Sequence, residues 1–180
     1  ADEPTASLEE EPILKGQPLS YWIEQASSDE SSVDVKLIVV ALAEGVECED
    51  PLVKVAAADA LAGFGPKAKV ALPALLAQLG HVQPWVRVAC MAAIASVGPD
   101  AVQPLVETFE NQTGGPRIRA AFVLGGMGET ARPAVPALAK AMREENPVVA
   151  KRLADILSQI DPENFAGNTT TRDKVIRREL

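Results

Sequence analysis

The hexapeptides "GFGPKA" at residues 63–68 and "SVGPDA" at residues 96–101 lie thirty-three residues apart, each closing an alanine-rich run. Superposing "PLVKVAAADALAGFGPKA" from Pro51 on "PWVRVACMAAIASVGPDA" from Pro84 sets proline on proline, Val53 on Val86, Lys54 on Arg87 and Leu61 on Ile94. A third copy, "PRIRAAFVLGGMGETA", follows at an interval of thirty, with Arg117, Ala120, Leu124 and Gly128 in register. A fourth, "PVVAKRLADILSQIDP" from Pro147, returns to thirty-three. A unit of this length is one supersecondary element that cannot bury its apolar face alone, so the copies must stack. That constrains the fold more than any other feature of the chain.

Within each copy the apolar positions follow a helical period. Val53, Ala56, Ala57, Ala60, Leu61 and Phe64 share their spacing with Val86, Ala89, Cys90, Ala93, Ile94 and Val97, which predicts one buried stripe on a helix of roughly fourteen residues. The intervening segments repeat a second pattern, Ala68, Leu72, Leu75, Leu76 and Leu79 matching Ala131, Val135, Leu138, Ala139 and Met142. Each repeat is therefore an A helix followed by a B helix. Gly65, Gly98 and Gly128 end B helices, where a left-handed residue at C′ favours glycine. Pro66 and Pro99 then start the next segment, and Pro51, Pro84 and Pro147 open B helices, where the missing N–H costs nothing. Asp50 and Asn146 are good N-caps for two of these helices, and Gln83 is a poorer one.

Composition agrees with backbone-close helix packing: 47% of residues are hydrophobic but only 4% aromatic, so Ala, Val and Leu must form the core. No unbroken apolar run nears the roughly 18 residues that span a bilayer, so a soluble chain without membrane insertion is expected. Net charge is −8, unevenly placed. Through Asp50 there are 13 acids against Lys15 and Lys36, whereas the remainder carries 12 acids and 15 bases. The acidic balance argues against nucleic acid as a ligand, since phosphate binding needs a basic footprint. Residues 1–16 read as an acidic, extended lead-in, and the first residues resemble a mature exported protein, predicting a periplasmic or extracellular location.

The unit P-x-V-R-x-x-A-A-x-A-L-x-x-x-G-P-x-A followed by A-V-P-A-L-x-x-x-L resembles the HEAT repeat, in the short bacterial form of the phycobilisome-lyase-like branch. "WVRVACMAAIASVGPDA" and "ARPAVPALAKAM" carry the likeness, and "KGQPLSYWIEQ" is similar to the segment leading many exported bacterial members. The resemblance implies an all-α, right-handed α-α superhelix, a solenoid of about four helix pairs spanning residues 17–162. Its parts are a cap helix at 19–26, repeats at about 33–65, 66–98, 99–128 and 129–161, and a tail or docking helix at 163–180. The family's usual aspartate in the A-to-B turn is absent after Leu79, where the chain reads "GHVQ".

A search for chemistry returns no catalytic, cofactor-binding or metal residues. Metal hydroxylases resembling this family carry several His-Glu pairs, but His81 precedes Val82. Cys90 holds a core position and Cys48 a turn, so a disulfide between them is not expected. What remains is a surface. Lys54, Arg87 and Arg117 form a ladder at one B-helix position, which in the HEAT pattern bonds turn carbonyls. Arg119 and Arg152 replace Ala56 and Ala89 at the edge of the stripe and, with Lys151, make the later B helices basic. Trp85 stands beside His81 and Arg87 on the ridge of turns, and Trp with Arg dominates interface hot spots. These residues, Trp85, Arg87, His81, Arg117, Arg119, Lys151 and Arg152, are the candidate partner-binding set. The expected function is a non-catalytic adaptor or accessory subunit that binds another protein without a cofactor. The alternative implied by the family branch is a lyase-like helper for cofactor or chromophore attachment.

Overall fold

The structure, a computed structural model, describes residues 11–27, 34–145 and 147–165. It opens with a two-stranded hairpin, β1 (Ile13–Leu14) and β2 (Gln17–Pro18), which straddles the boundary expected at residue 16 between lead-in and solenoid. Lys15 and Gly16 both have positive φ, the backbone of a two-residue hairpin turn. Lys15 pairs with Glu44, and Leu14 is buried, so the hairpin is fastened to the first repeat. Helix α1 (Leu19–Ser27) follows and closes that end of the stack. Trp22 is buried and donates its Nε1–H to the carbonyl of Leu14 at 2.7 Å, while Tyr21 meets its ring edge-on.

The repeats are built as the spacing demands. Helices α2 (Val35–Glu47) and α3 (Pro51–Phe64) form the first pair. In the second, a 3₁₀ segment (Gly65–Ala71) leads into the short α4 (Leu72–Ala77), and α5 (Pro84–Val97) is the B helix. The third pairs α6 (Val102–Asn111) with α7 (Gly114–Gly126), and the fourth α8 (Val135–Glu144) with α9 (Pro147–Ile160). A last turn of helix, α10 (Pro162–Phe165), packs on α9. Each B helix contacts the next, α3 on α5, α5 on α7 and α7 on α9, and α2, α4 and α6 form the A-side row. Both predicted stripes lie in one continuous core of small aliphatic side chains. The chain is an all-α solenoid.

Two details of the joints differ from expectation. Gly65 and Gly98 have φ of 54° and 76°, but ψ of −129° and −142°, so they are not left-handed helical residues. They sit in the mirror-image extended region, which glycine alone tolerates and which turns the chain more sharply. The A helices α4 and α8 also begin as 3₁₀ turns and become α-helical beside the proline of "LPALL" or "VPALA". A proline there lacks only an N–H that a first turn leaves unbonded.

Residues 84–111 are helical and apolar enough to match a membrane span by length and composition. Yet this stretch is α5 and α6 joined at Gly98, and α5 is central to the core. Residues 166–180 of the expected tail or docking helix at 163–180, the cap at Asn146 and the segment 1–10 lie outside the described residues.

Candidate partner-binding face

The B helices start in strict register, at residues 51, 84, 114 and 147. This places the shortened interval ahead of α7, so the equivalents of Trp85 are Leu52, Gly115 and Val148. The fourth position carries Lys54, Arg87, Arg117 and Ala150, and the fifth Val55, Val88, Ile118 and Lys151.

The fourth-position cations serve the turns, each differently. Lys54 is buried, and its Nζ donates to the carbonyl of Val46 at 3.0 Å in the last turn of α2. A cation there also meets the negative end of that helix. Arg87 donates from Nη1 to the carbonyls of His81 and Val82, at 2.7 and 2.8 Å. Arg117 instead leans on the ring of Phe109, 4.5 Å from its centroid, and pairs with Glu145 at 3.1 Å.

His81 braces the turn that lacks the aspartate, but in a different way from Asp50. In the first repeat Asp50 accepts from the N–H of Leu52 at 2.8 Å, capping α3. In the second, Nδ1 of the half-buried His81 accepts from the N–H of Gln83 at 3.1 Å, also two residues on. That N–H belongs to the residue ahead of the helix, so the imidazole braces the turn, and α5 itself has no side-chain cap.

Around these turns the outer face of the B helices is unusually apolar. Trp85 is 52% exposed, Phe122 47% and Val148 69%, and Val88 and Ile118 lie open between them. Ile118 and Phe122 are one helical turn apart on α7, outside its buried stripe. That spacing was visible in the sequence, but the stripe alone did not say which way these residues face. Between α7 and α9 lies a pocket of about 270 Å³, lined by Phe109, Ile118, Phe122 and Val148 and flanked by Arg117 and Arg152. Its size suits one bulky side chain rather than a drug-sized molecule. Arg152 and Lys151 are exposed on α9.

Arg119 occupies an odd place. Its guanidinium lies over Gly115, where an added Cβ would collide with Nη1. Nη1 is buried and has no hydrogen-bond partner among the described residues. Desolvation, and then the nearby Arg87, lower its proton affinity below the ordinary arginine value.

The thiols are separate. Cys90 is fully buried, and burial pushes its pKa up to about 11, whereas Cys48 is half-buried with Sγ toward the carbonyl of Glu44. A buried thiol with a raised pKa is a poor nucleophile. Among the described residues no three His, Cys, Asp or Glu side chains gather where a metal ion could sit.

A one-dimensional stack of helix pairs exposing an apolar and cationic face defines an α-solenoid of the interaction type. Residues 39–124 match the family model for HEAT repeats, and residues 116–144 match the PBS lyase HEAT-like repeat. The two matches together cover more than half of the sequence, and the chain is a HEAT-repeat protein. No curated protein matches it significantly.

Proposed function

We propose that this chain is a non-catalytic adaptor or accessory subunit that binds another protein through the outer face of α5, α7 and α9. The observation that carries this reading is the exposed row Trp85, Val88, Ile118, Phe122 and Val148, interleaved with Arg87, Arg119 and Arg152. HEAT repeats generally serve protein interaction, and the backbone of a stacked array is already ordered, so docking loses little conformational entropy. The same proposal holds that the chain needs no cofactor, does not enter a membrane and works outside the cytoplasm. The last point rests on the likeness of "KGQPLSYWIEQ" to the leading segment of exported HEAT proteins.

The lyase-like reading is kept because residues 116–144 match the PBS lyase HEAT-like repeat. Affinity purification from native extract separates the two. The adaptor reading expects a stoichiometric protein partner that is lost with Trp85→Ala and with Phe122→Ala. A co-purifying tetrapyrrole, seen by its visible absorbance, supports the lyase-like helper and defeats the adaptor.

A further inference from the structure

The electrostatics around Arg119 are unfavourable as they stand, and this points to the kind of partner the face accepts. The guanidinium folds back over Gly115, in the first turn of α7, where the helix dipole is positive. Thr113, the residue before that helix, makes no side-chain cap. A second cation, Arg87, is close enough to disfavour the charge on Arg119. Arg87 is held by two turn carbonyls through Nη1, leaving Nη2 and Nε uncommitted among the described residues. The buried, unsatisfied Nη1 of Arg119 thus lies over a helix N-terminus without a side-chain cap, and Arg87 on the neighbouring α5 adds a second positive charge. A single anion relieves all of these costs together.

The surroundings choose among anions. The rim is apolar, with Ile118 next to Arg119 in sequence and Phe122 one turn further along α7. The pocket between α7 and α9 takes one large side chain and carries further positive charge from Arg152. We propose that Arg87 and Arg119 together clamp a carboxylate of an acidic protein segment, and that a neighbouring apolar side chain of that segment enters the pocket lined by Phe109, Ile118, Phe122 and Val148. This deepens the adaptor reading and rests on it. Charge complementarity supports the choice, since α5 and α7 carry Arg87, Arg117 and Arg119 and no acid, and α9 carries Lys151 and Arg152 against Asp155. Gly115 is then a positioning residue, small so that Arg119 can lie across it.

The test is a phage-displayed random peptide library selected on the folded full chain, with affinities of the enriched peptides measured by fluorescence anisotropy. The expected peptides carry Asp or Glu within a few residues of Phe, Leu or Trp. Arg119→Gln should weaken them about tenfold or more, the loss of a charge-assisted hydrogen bond. Gly115→Ala is the sharper variant: its Cβ displaces the guanidinium without removing charge, so affinity should fall while the melting temperature holds or rises. Lys67→Gln, an exposed change in the joint after Gly65, should leave affinity unaltered. Binders lacking acidic residues, or unaffected by Arg119→Gln, overturn the carboxylate clamp. If those binders are still lost with Phe122→Ala, the adaptor face itself survives. Binders indifferent to Phe122→Ala and Trp85→Ala, or no binders at all, overturn both. Competition by inorganic phosphate as effective as that of the acidic peptide makes this an oxyanion site and overturns the peptide proposal. So does concentration-dependent dimerisation abolished by Arg119→Gln, which would assign the acid to a second copy.

Discussion

Gly45 is where the first repeat is most tightly closed, and replacing it with alanine tests the packing argument directly. A Cβ there would lie 2.9 Å from the Cβ of Ala57 on α3 and 3.2 Å from Cδ1 of Leu14 in the hairpin. Carbon atoms in good contact are about 3.5–4.0 Å apart. Leu14 can rotate away, but the Cβ of Ala57 moves only with its helix, so α2 and α3 must separate. Overpacking of this kind costs about 1–3 kcal/mol, offset by up to about 1 kcal/mol from the better helix propensity of alanine. Gly63 supplies the control. It lies near the end of α3 as Gly45 lies near the end of α2, and an added Cβ meets nothing within 4 Å. Gly63→Ala should therefore gain up to about 1 kcal/mol, and Gly45→Ala should range from neutral to about 3 kcal/mol less stable than the parent. The difference between the two variants isolates the packing cost of about 1–3 kcal/mol. In a chain of this size it appears as a gap of several degrees in Tm, at about 2–4 °C per kcal/mol. Urea titrations followed by far-UV circular dichroism and by the fluorescence of buried Trp22 would measure it. Equal stabilities would refute the claim that this helix contact depends on a missing methyl group.

Three further outcomes follow from single contacts. Trp22→Phe keeps the ring but loses the bond to the Leu14 carbonyl, and should destabilise by about 1 kcal/mol in the same titration. Arg87→Met strips the carbonyls of His81 and Val82 of their donor and should cost about 1–2 kcal/mol, whereas Arg152→Met on the exposed face of α9 should change stability by less than about 0.5 kcal/mol. Equal effects would show that Arg87 is not a turn anchor. Cys90 should resist a thiol reagent that labels Cys48, becoming reactive only on unfolding. Its pKa rises from 9.0 to about 11 in the folded chain, so the unfolded thiol loses its proton first. The stability Cys90 contributes is then full below pH 9 and declines as pH climbs toward 11. Cys90→Ala should remove that part of the alkaline decline, and an unchanged pH profile would contradict it.

The likeness between copies let the helical pairs be read from sequence, because each repeat must satisfy the same neighbour contacts. The stripes from Val53 to Phe64 and from Val86 to Val97 needed nothing beyond a period of 3.6. The hairpin at residues 13–18 escaped that reading because its strands are two residues long and bear no pattern. "LKGQ" held the signal, a glycine as the second residue of a two-residue turn. The mirror-extended conformation of Gly65 and Gly98 also escaped, since the sequence shows that glycine is needed but not which of its private regions is used. The sequence places His81 in a turn, yet its bond from the N–H of Gln83 emerges only from the position of Nδ1.

For this protein, then, the order of amino acids was enough to specify the helix pairs and where their joints fall, because those are set by local periodicity and backbone chemistry. What lay beyond it was the outward face. Whether Ile118 and Phe122 look into solvent, and whether Arg119 folds onto Gly115 beside Arg87, depends on how far one B helix is turned against the next. That rotation follows from side chains meeting across thirty or more residues, and no local pattern encodes it.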